Sequence, residues 1–186
     1  MAFRHIPHPD PVPADRRARL LENPGFGQVF TDHMVTIRFD RDKGWHDAEV
    51  KPRGPFLIDP AAAVLHYAQE IFEGMKAYRT AGGEIALFRA GANAARFNES
   101  AQRMAMPELP VELFLQVVEE LVRIDRDWVP GGEGSLYLRP FMFSDEPFLG
   151  VRPANCYVFC VIACPVGPYF KGGAKPMKLF VSEDYT

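Results

Sequence analysis

The sequence predicts an α+β fold, an antiparallel sheet with helices packed on one face. Three observations carry that prediction. Two turn signals, Asp40 to Gly44 and Ala81-Gly-Gly83, each separate a pair of short apolar runs, which is the pattern of a β-hairpin. One stretch, Val111 to Trp128, repeats apolar residues at helical spacing. Two long runs, Ser135 to Phe143 and Asn155 to Val166, are rich in β-branched and aromatic residues. Hairpins, then helices, then long strands make an antiparallel sheet with segregated helices.

The elements follow in order. Residues 1–25 are rich in Pro, Arg and Asp, lack periodicity and read as an irregular arm. From Phe26 to Asp40, Val29, Met34, Val35, Ile37 and Phe39 are mixed with polar positions near period two, as in a strand. The charged turn Asp40 to Gly44 sends the chain back through Trp45 to Val50. Pro52 to Pro60 holds a further extended piece, and Pro60 suits the first turn of a helix. Val64, Leu65, Ala68, Ile71 and Phe72 then recur as the buried stripe of that helix. Gly74 is placed to end it in the left-handed conformation that glycine adopts without steric cost. Met75 to Arg79 is a short strand, so Tyr67, Phe72 and Gly74 lie close together. After Ala81-Gly-Gly83, Glu84 to Phe88 completes a hairpin. Ala90 to Met106 is a helix stopped by Pro107 and Pro110. Val111 to Trp128 is the clearest amphipathic helix, with Phe114, Val117, Val118, Leu121 and Val122 on one stripe. Ser135 to Phe143 is a strand, Ser144 to Pro153 a loop and Asn155 to Val166 a long strand. Gly167 to Ala174 is glycine-rich, and Gly172 marks the best domain boundary. Met177 to Ser182 begins another strand.

Composition excludes several functions. The chain has 186 residues, 47% of them apolar, which suits a globular core and not a disordered segment. A net charge of −3 gives no electrostatic case for nucleic acid. No apolar run approaches the roughly 18 to 20 residues that span a bilayer. Prolines and charges stand where a signal peptide needs an apolar stretch, so a cytoplasmic protein is expected. Cys156, Cys160 and Cys164 are spaced C-x3-C-x3-C. On a strand, residues four apart lie about 13 Å apart on one face, too far to share one metal. An odd cysteine count argues against a disulfide framework.

Several motifs then carry a resemblance. Leu65-His-Tyr67 with Phe72-Glu-Gly-Met-Lys76 is similar to the signature of the branched-chain amino-acid aminotransferases. So, in order, are Phe26-Gly-Gln-Val-Phe-Thr-Asp-His-Met34, Lys43-Gly-Trp45, Leu87-Phe-Arg89, Asp127-Trp-Val-Pro130, Ser135-Leu-Tyr-Leu-Arg-Pro140, Leu149-Gly-Val151 and Cys164-Pro-Val-Gly-Pro-Tyr-Phe170. Each alone is weak. Together they cover residues 26–170 and identify the chain as resembling these pyridoxal-phosphate enzymes of fold type IV.

The resemblance implies roles that sit beside plainer readings. Arg96 pairs with Glu99 or Glu84 as a surface arginine, or grips the phosphate of pyridoxal 5'-phosphate by two parallel hydrogen bonds. Tyr137 and Arg139, two apart on a strand, share a face. They read as core and rim, or, by resemblance, as part of a substrate pocket with Tyr67. Phe26, Phe72 and Tyr169 are core aromatics, or the rest of that pocket's wall. Such a pocket takes Leu, Ile or Val side chains and also glutamate, whose carboxylate needs donors. Leu149 and Val151 sit in a loop that folds back on its own domain, or, as in the family, reaches the other subunit of a homodimer.

The family's Schiff-base lysine lies in a Lys-x-Gly-Gly-Asn-Tyr segment, and no such segment occurs in residues 1–186. The resemblance therefore implies the N-terminal half of an aminotransferase, without a catalytic lysine of its own and inactive alone. Its parts are an arm (1–25), a substrate-wall domain (26–170) and the start of a second domain (171–186). The expected reaction exchanges an amino group between Leu, Ile or Val and 2-oxoglutarate. Two alternatives stay open: a D-amino-acid aminotransferase or aminodeoxychorismate lyase of the same fold, and a non-catalytic binding or dimerisation domain.

Overall fold

A computed structural model describes residues 1–168 and 176–182. In chain order its elements are β1 (Arg4–His5), α1 (Ala14–Glu22), β2 (His33–Asp40), β3 (Gly44–Pro52), α2 (Ala63–Tyr67), β4 (Glu70–Phe72), β5 (Met75–Arg79), β6 (Ile85–Leu87), α3 (Ala90–Arg103), α4 (Val111–Ile124), a 3-10 turn (Arg126–Trp128), β7 (Ser135–Phe143) and β8 (Cys156–Val166). One sheet joins all eight strands in the order β1-β3-β2-β8-β7-β5-β6, with β4 beside β7. Its described pairings are antiparallel apart from β1 with β3. The α+β architecture expected from the sequence is the one observed.

The two long β-prone runs lie side by side at the centre. Every residue of β7 pairs with β8, from Ser135 opposite Val166 to Phe143 opposite Val158. Side chains on a strand alternate, and burial follows. Leu136, Leu138 and Met142 are fully buried, whereas Tyr137, Arg139 and Phe141 are half-buried on the opposite face. The buried face meets α3 and α4. Helix α4 supplies Phe114, Val117, Val118, Leu121 and Val122, all buried, as its sequence pattern predicts. Phe97 of α3, Phe114 of α4 and Phe159 of β8 form a triangle with centroids 5.4 to 5.7 Å apart. These rings join both helices to the sheet at the separation favoured by aromatic pairs.

Four local expectations need correction. The helix expected from Val64 to Phe72 is only Ala63–Tyr67. Leu65 and Tyr67 are exposed, so the apolar spacing is not a buried stripe. Ala68 takes the left-handed conformation, φ 48°, and Ile71 and Phe72 continue as β4, one facing in and one out. Short apolar runs do not by themselves separate helix from strand. Gly74 is not among the residues with positive φ, and its role is a different one, described below. The arm is not wholly irregular, because it contains β1 and α1. No strand is found at residues 176–182, which are exposed. The expected boundary at Gly172 and the wall residue Tyr169 lie outside the described residues.

β4 and β5 behave as one interrupted strand. Phe72 stands opposite Phe141 and Met75 opposite Leu138, so three steps along one strand match three steps back along β7. The interruption, Glu73-Gly74, therefore faces Arg139-Pro140. Proline has no N–H to give the ladder. One bond remains, from the Glu73 N–H to the Pro140 carbonyl at 2.8 Å.

Asp125, at the C-terminal cap of α4, is buried and ties that helix to β2. Its carboxylate takes the His33 amide at 3.0 Å and lies 2.7 Å from His33 Nδ1. The hydrogen bond to Asp125 raises the His33 pKa above 6.5, against the desolvation that would lower it. A raised folded-state pKa gives stability that is complete below the unfolded value and is lost as pH rises through the folded one. Thermal stability is expected to fall as pH climbs from about 6 through neutrality, and this fall should shrink in His33→Gln. Melting curves at several pH values check it, and parallel curves for both proteins would contradict it.

Candidate active site

The half-buried face of β7 brings together four of the residues singled out by the sequence, Phe26, Phe72, Tyr137 and Arg139. The Arg139 Nη2 donates to Tyr137 Oη at 2.8 Å. The Arg139 guanidinium lies 4.4 Å from the Phe72 ring centre and 5.4 Å from that of Tyr137, a cation–π arrangement. Phe26 packs its ring 5.4 Å from Tyr137. Phe26 reaches this place from a loop between Gly25 and Gly27, both with φ 67°, where glycine alone is unstrained. The loop is pinned behind it by Thr31 N–H to the Ala163 carbonyl, 3.1 Å, and by Asp32, which accepts from Trp128 Nε1 at 2.8 Å. A cleft of about 200 Å³ lies between Phe26, Phe30, Tyr137, Arg139, Ile162 and Cys164.

Gly74 fits this face by what it lacks. It shares the face with Phe72, and the Tyr137 ring leans into the gap. A Cβ on Gly74 would lie 3.1 Å from Tyr137 Cζ and 3.3 Å from Cε2, with the hydroxyl closer still. A groove of about 290 Å³ touches Gly74, Asn93 and Tyr137.

Arg96 is on α3 and is 64% exposed. Its ion pair is with neither Glu99 nor Glu84, although the Glu99 charge adds a smaller favourable interaction. It donates from Nε to Glu73 Oε1 at 2.6 Å and from Nη2 to Glu73 Oε2 at 2.7 Å. Glu73, 5% exposed, also receives Asn93 Nδ2 at 3.0 Å and the Gly74 amide at 3.3 Å. Burial pushes its carboxyl pKa up, but the Arg96 and Asn93 hydrogen bonds and the Arg96 charge outweigh this and leave it lowered. The same hydrogen bond, then the carboxylate charge, raises the Arg96 pKa. A guanidinium has five N–H donors. Glu73 occupies two, and the rest suit an anion such as a phosphate. The donor chemistry therefore fits the cofactor that the sequence resemblance implies.

Tyr67 stands apart from the Phe26–Tyr137 pair. Its ring stacks on Phe148 with centroids 6.2 Å apart, and it lines a separate groove with Val151 and Arg152. Leu149 and Val151 are exposed at the tip of their loop. The loop's base is held by Glu146, which accepts from Arg152 Nη2 at 2.7 Å and Asn155 Nδ2 at 3.2 Å. A larger groove, about 740 Å³, lies elsewhere on the sheet around Arg4, Trp45 and Glu49. Glu49 there already pairs with Arg4 and Lys51, so the chemistry points to the smaller clefts.

Cys160 is buried, and desolvation pushes its pKa up to about 12, so it stays a thiol near neutral pH. Among the described residues no group of three His, Cys, Asp or Glu could hold a metal. Sequence reasoning missed Glu73 and Asn93. The signal present was an acid inside an apolar strand run, between Phe72 and Met75.

Comparison with known proteins adds homology. No protein-family model matches the chain. Over 180 residues it is 56% identical to a probable branched-chain-amino-acid aminotransferase of Streptomyces coelicolor, covering 96% of this chain and 50% of that protein. It is 53% identical over 179 residues to the branched-chain-amino-acid aminotransferase of Mycobacterium tuberculosis, covering 95% and 49%. The chain thus spans about half the length of the curated relatives it matches. Among solved structures, the T.th. branched-chain amino acid aminotransferase with pyridoxamine 5'-phosphate superimposes with a TM-score of 0.55 and 26% identity, covering 75% of this chain and 43% of that one. The enzyme of Thermoproteus uzoniensis with norvaline gives a TM-score of 0.55 at 21% identity, over 74% and 43%, a likeness of fold.

The packing at Gly74 is testable. Gly74→Ala must displace the Tyr137 ring or the strand, and overpacking of this kind costs about 1 to 3 kcal/mol. Denaturant unfolding should show that loss, and a double change with Tyr137→Phe, which removes the clashing hydroxyl, should recover part of it. Wild-type stability in Gly74→Ala would refute the close approach.

Proposed function

The chain belongs to the branched-chain-amino-acid aminotransferase family, matching its members over about half their length, and on that premise we propose that the protein moves an amino group between Leu, Ile or Val and 2-oxoglutarate with pyridoxal 5'-phosphate. In this reading residues 26–170 form the unit that carries the substrate wall. The observation that carries the proposal is Arg139. Its guanidinium rests on Phe72 and Tyr137, its Nε is buried without a hydrogen-bond partner, and among the described residues no carboxylate pairs with it. A half-buried cation without an acid is costly unless a ligand completes it.

Pyridoxal phosphate, when bound, supplies the carbonyl that accepts the amino group and the ring that takes up the electrons released at the α-carbon. The residues of this chain bind and orient. Arg96 holds the phosphate by the donors that Glu73 leaves over. Phe26, Phe72 and Tyr137 offer apolar area to an aliphatic side chain and keep water from it. Tyr137 Oη accepts from Arg139, so its own proton is directed elsewhere and can be donated to a carboxylate. Arg139 and Tyr137 thereby receive the side-chain carboxylate of glutamate, and the same wall takes leucine without an added charge. The resemblance assigns Tyr67 and Tyr169 to the same wall; Tyr67 lines the separate groove beside Val151, and Tyr169 lies outside the described residues.

The working unit is proposed to be a cytoplasmic homodimer. The exposed apolar pair Leu149 and Val151, on a loop whose base is fixed by Glu146, supports an intersubunit role. No helix among the described residues is long and apolar enough to cross a membrane.

Two substitutions in the full-length protein test the reading. Arg96→Ala removes a charge-assisted phosphate contact worth about 1.5 to 3 kcal/mol. Cofactor absorbance after dialysis should drop well below wild type, and equal retention would remove Arg96 from the site. Arg139→Met should slow single turnover with glutamate by roughly tenfold or more, the loss of one charged hydrogen bond, and with leucine far less. Equal losses with both amino acids would make Arg139 a scaffold residue.

A further inference from the structure

Arg96 presents a problem for any phosphate site. It is a long side chain, 64% exposed on the outside of α3, and free rotation would spread its donors over many directions. Glu73 removes that freedom. Its backbone is fixed by the bond to the Pro140 carbonyl, 2.8 Å. Its carboxylate is held by Asn93 at 3.0 Å and by the Gly74 amide at 3.3 Å. It grips Arg96 by the Nε and Nη2 edge, at 2.6 and 2.7 Å. A surface ion pair has two exposed partners and contributes little. Here the acid is 5% exposed and bound by three separate groups, which is more order than pairing two surface charges requires.

We propose that Glu73 is the positioning residue for the phosphate-binding arginine: it fixes Arg96 by one edge and turns the remaining edge, Nη1 with the second Nη2 proton, toward the cofactor's phosphate. The proposal rests on the pyridoxal-phosphate reading above. It also joins two parts of the site. Glu73 holds Arg96 on the helix side of the sheet, and Gly74, the next residue, admits Tyr137 on the other side.

Charge and positioning predict opposite signs. A carboxylate repels a phosphate dianion, so on charge alone Glu73→Gln would tighten cofactor binding. If Glu73 acts by fixing Arg96, the same change weakens it. The experiment is an equilibrium titration of the full-length apoprotein with pyridoxal phosphate, following absorbance, in wild type, Glu73→Gln, Arg96→Ala and the double variant. Glu73→Gln is expected to raise Kd roughly tenfold, the scale of one charged hydrogen bond, and to cost nothing further in the Arg96→Ala background. Asn93→Ala, which loosens Glu73 without touching Arg96, should shift Kd less and in the same direction, and serves if Glu73→Gln fails to fold. Unchanged or tighter binding by Glu73→Gln, or losses that add in the double variant, would overturn the positioning role and leave the aminotransferase reading standing. A wild type that does not bind pyridoxal phosphate would overturn both.

Discussion

The pairing of β7 with β8 is the constraint on which the rest depends. Nine consecutive residue pairs lock the two strands in one register. A single-residue slip would turn every side chain of β7 to the other face. Leu136, Leu138 and Met142 must lie under α3 and α4 to make the core, so Tyr137 and Arg139 are obliged to face away from the helices. The position of the candidate wall is thus a consequence of core packing. Burial of the even-numbered residues holds the odd-numbered ones in place.

Local rules are broken where the candidate site lies. Proline stands in a long inner strand at Pro140, opposite a buried acid at Glu73, which is followed by Gly74 in the break between β4 and β5. Each costs something in an ordinary sheet. Here each has a specific compensation. Pro140 still accepts the Glu73 amide, Glu73 is satisfied by Arg96 and Asn93, and the space left by Gly74 is filled by Tyr137. Sequences depart from local consistency mostly at functional sites. The concentration of three such departures within one pair of facing segments supports placing the site there.

Much of this is legible in the sequence. The period-two and period-3.6 patterns of β7, β8 and α4 are long enough to be unambiguous, and the shared face of Tyr137 and Arg139 follows from their spacing. Val64 to Phe72 misleads because its apolar residues satisfy helical spacing while the chain uses them as one helical turn and a strand. What separates the two is Ile71 packing inward beside Met142, a tertiary fact. Gly74 stands out in the sequence, but for a backbone reason. The true reason is the approach of the Tyr137 ring, which comes from far along the chain and leaves no local signal. Arg96 draws the wrong acidic neighbours from sequence because Glu73 approaches it from the sheet and not along the helix.

The most direct measurement is a crystal structure of the full-length protein with a reduced pyridoxyl-glutamate adduct. The account predicts the adduct's phosphate in hydrogen-bond contact with Arg96 while Glu73 still holds the opposite edge of that guanidinium. It also predicts the glutamate side-chain carboxylate against Arg139 and Tyr137. A phosphate bound away from Arg96, or a side-chain carboxylate that meets neither Arg139 nor Tyr137, would contradict it.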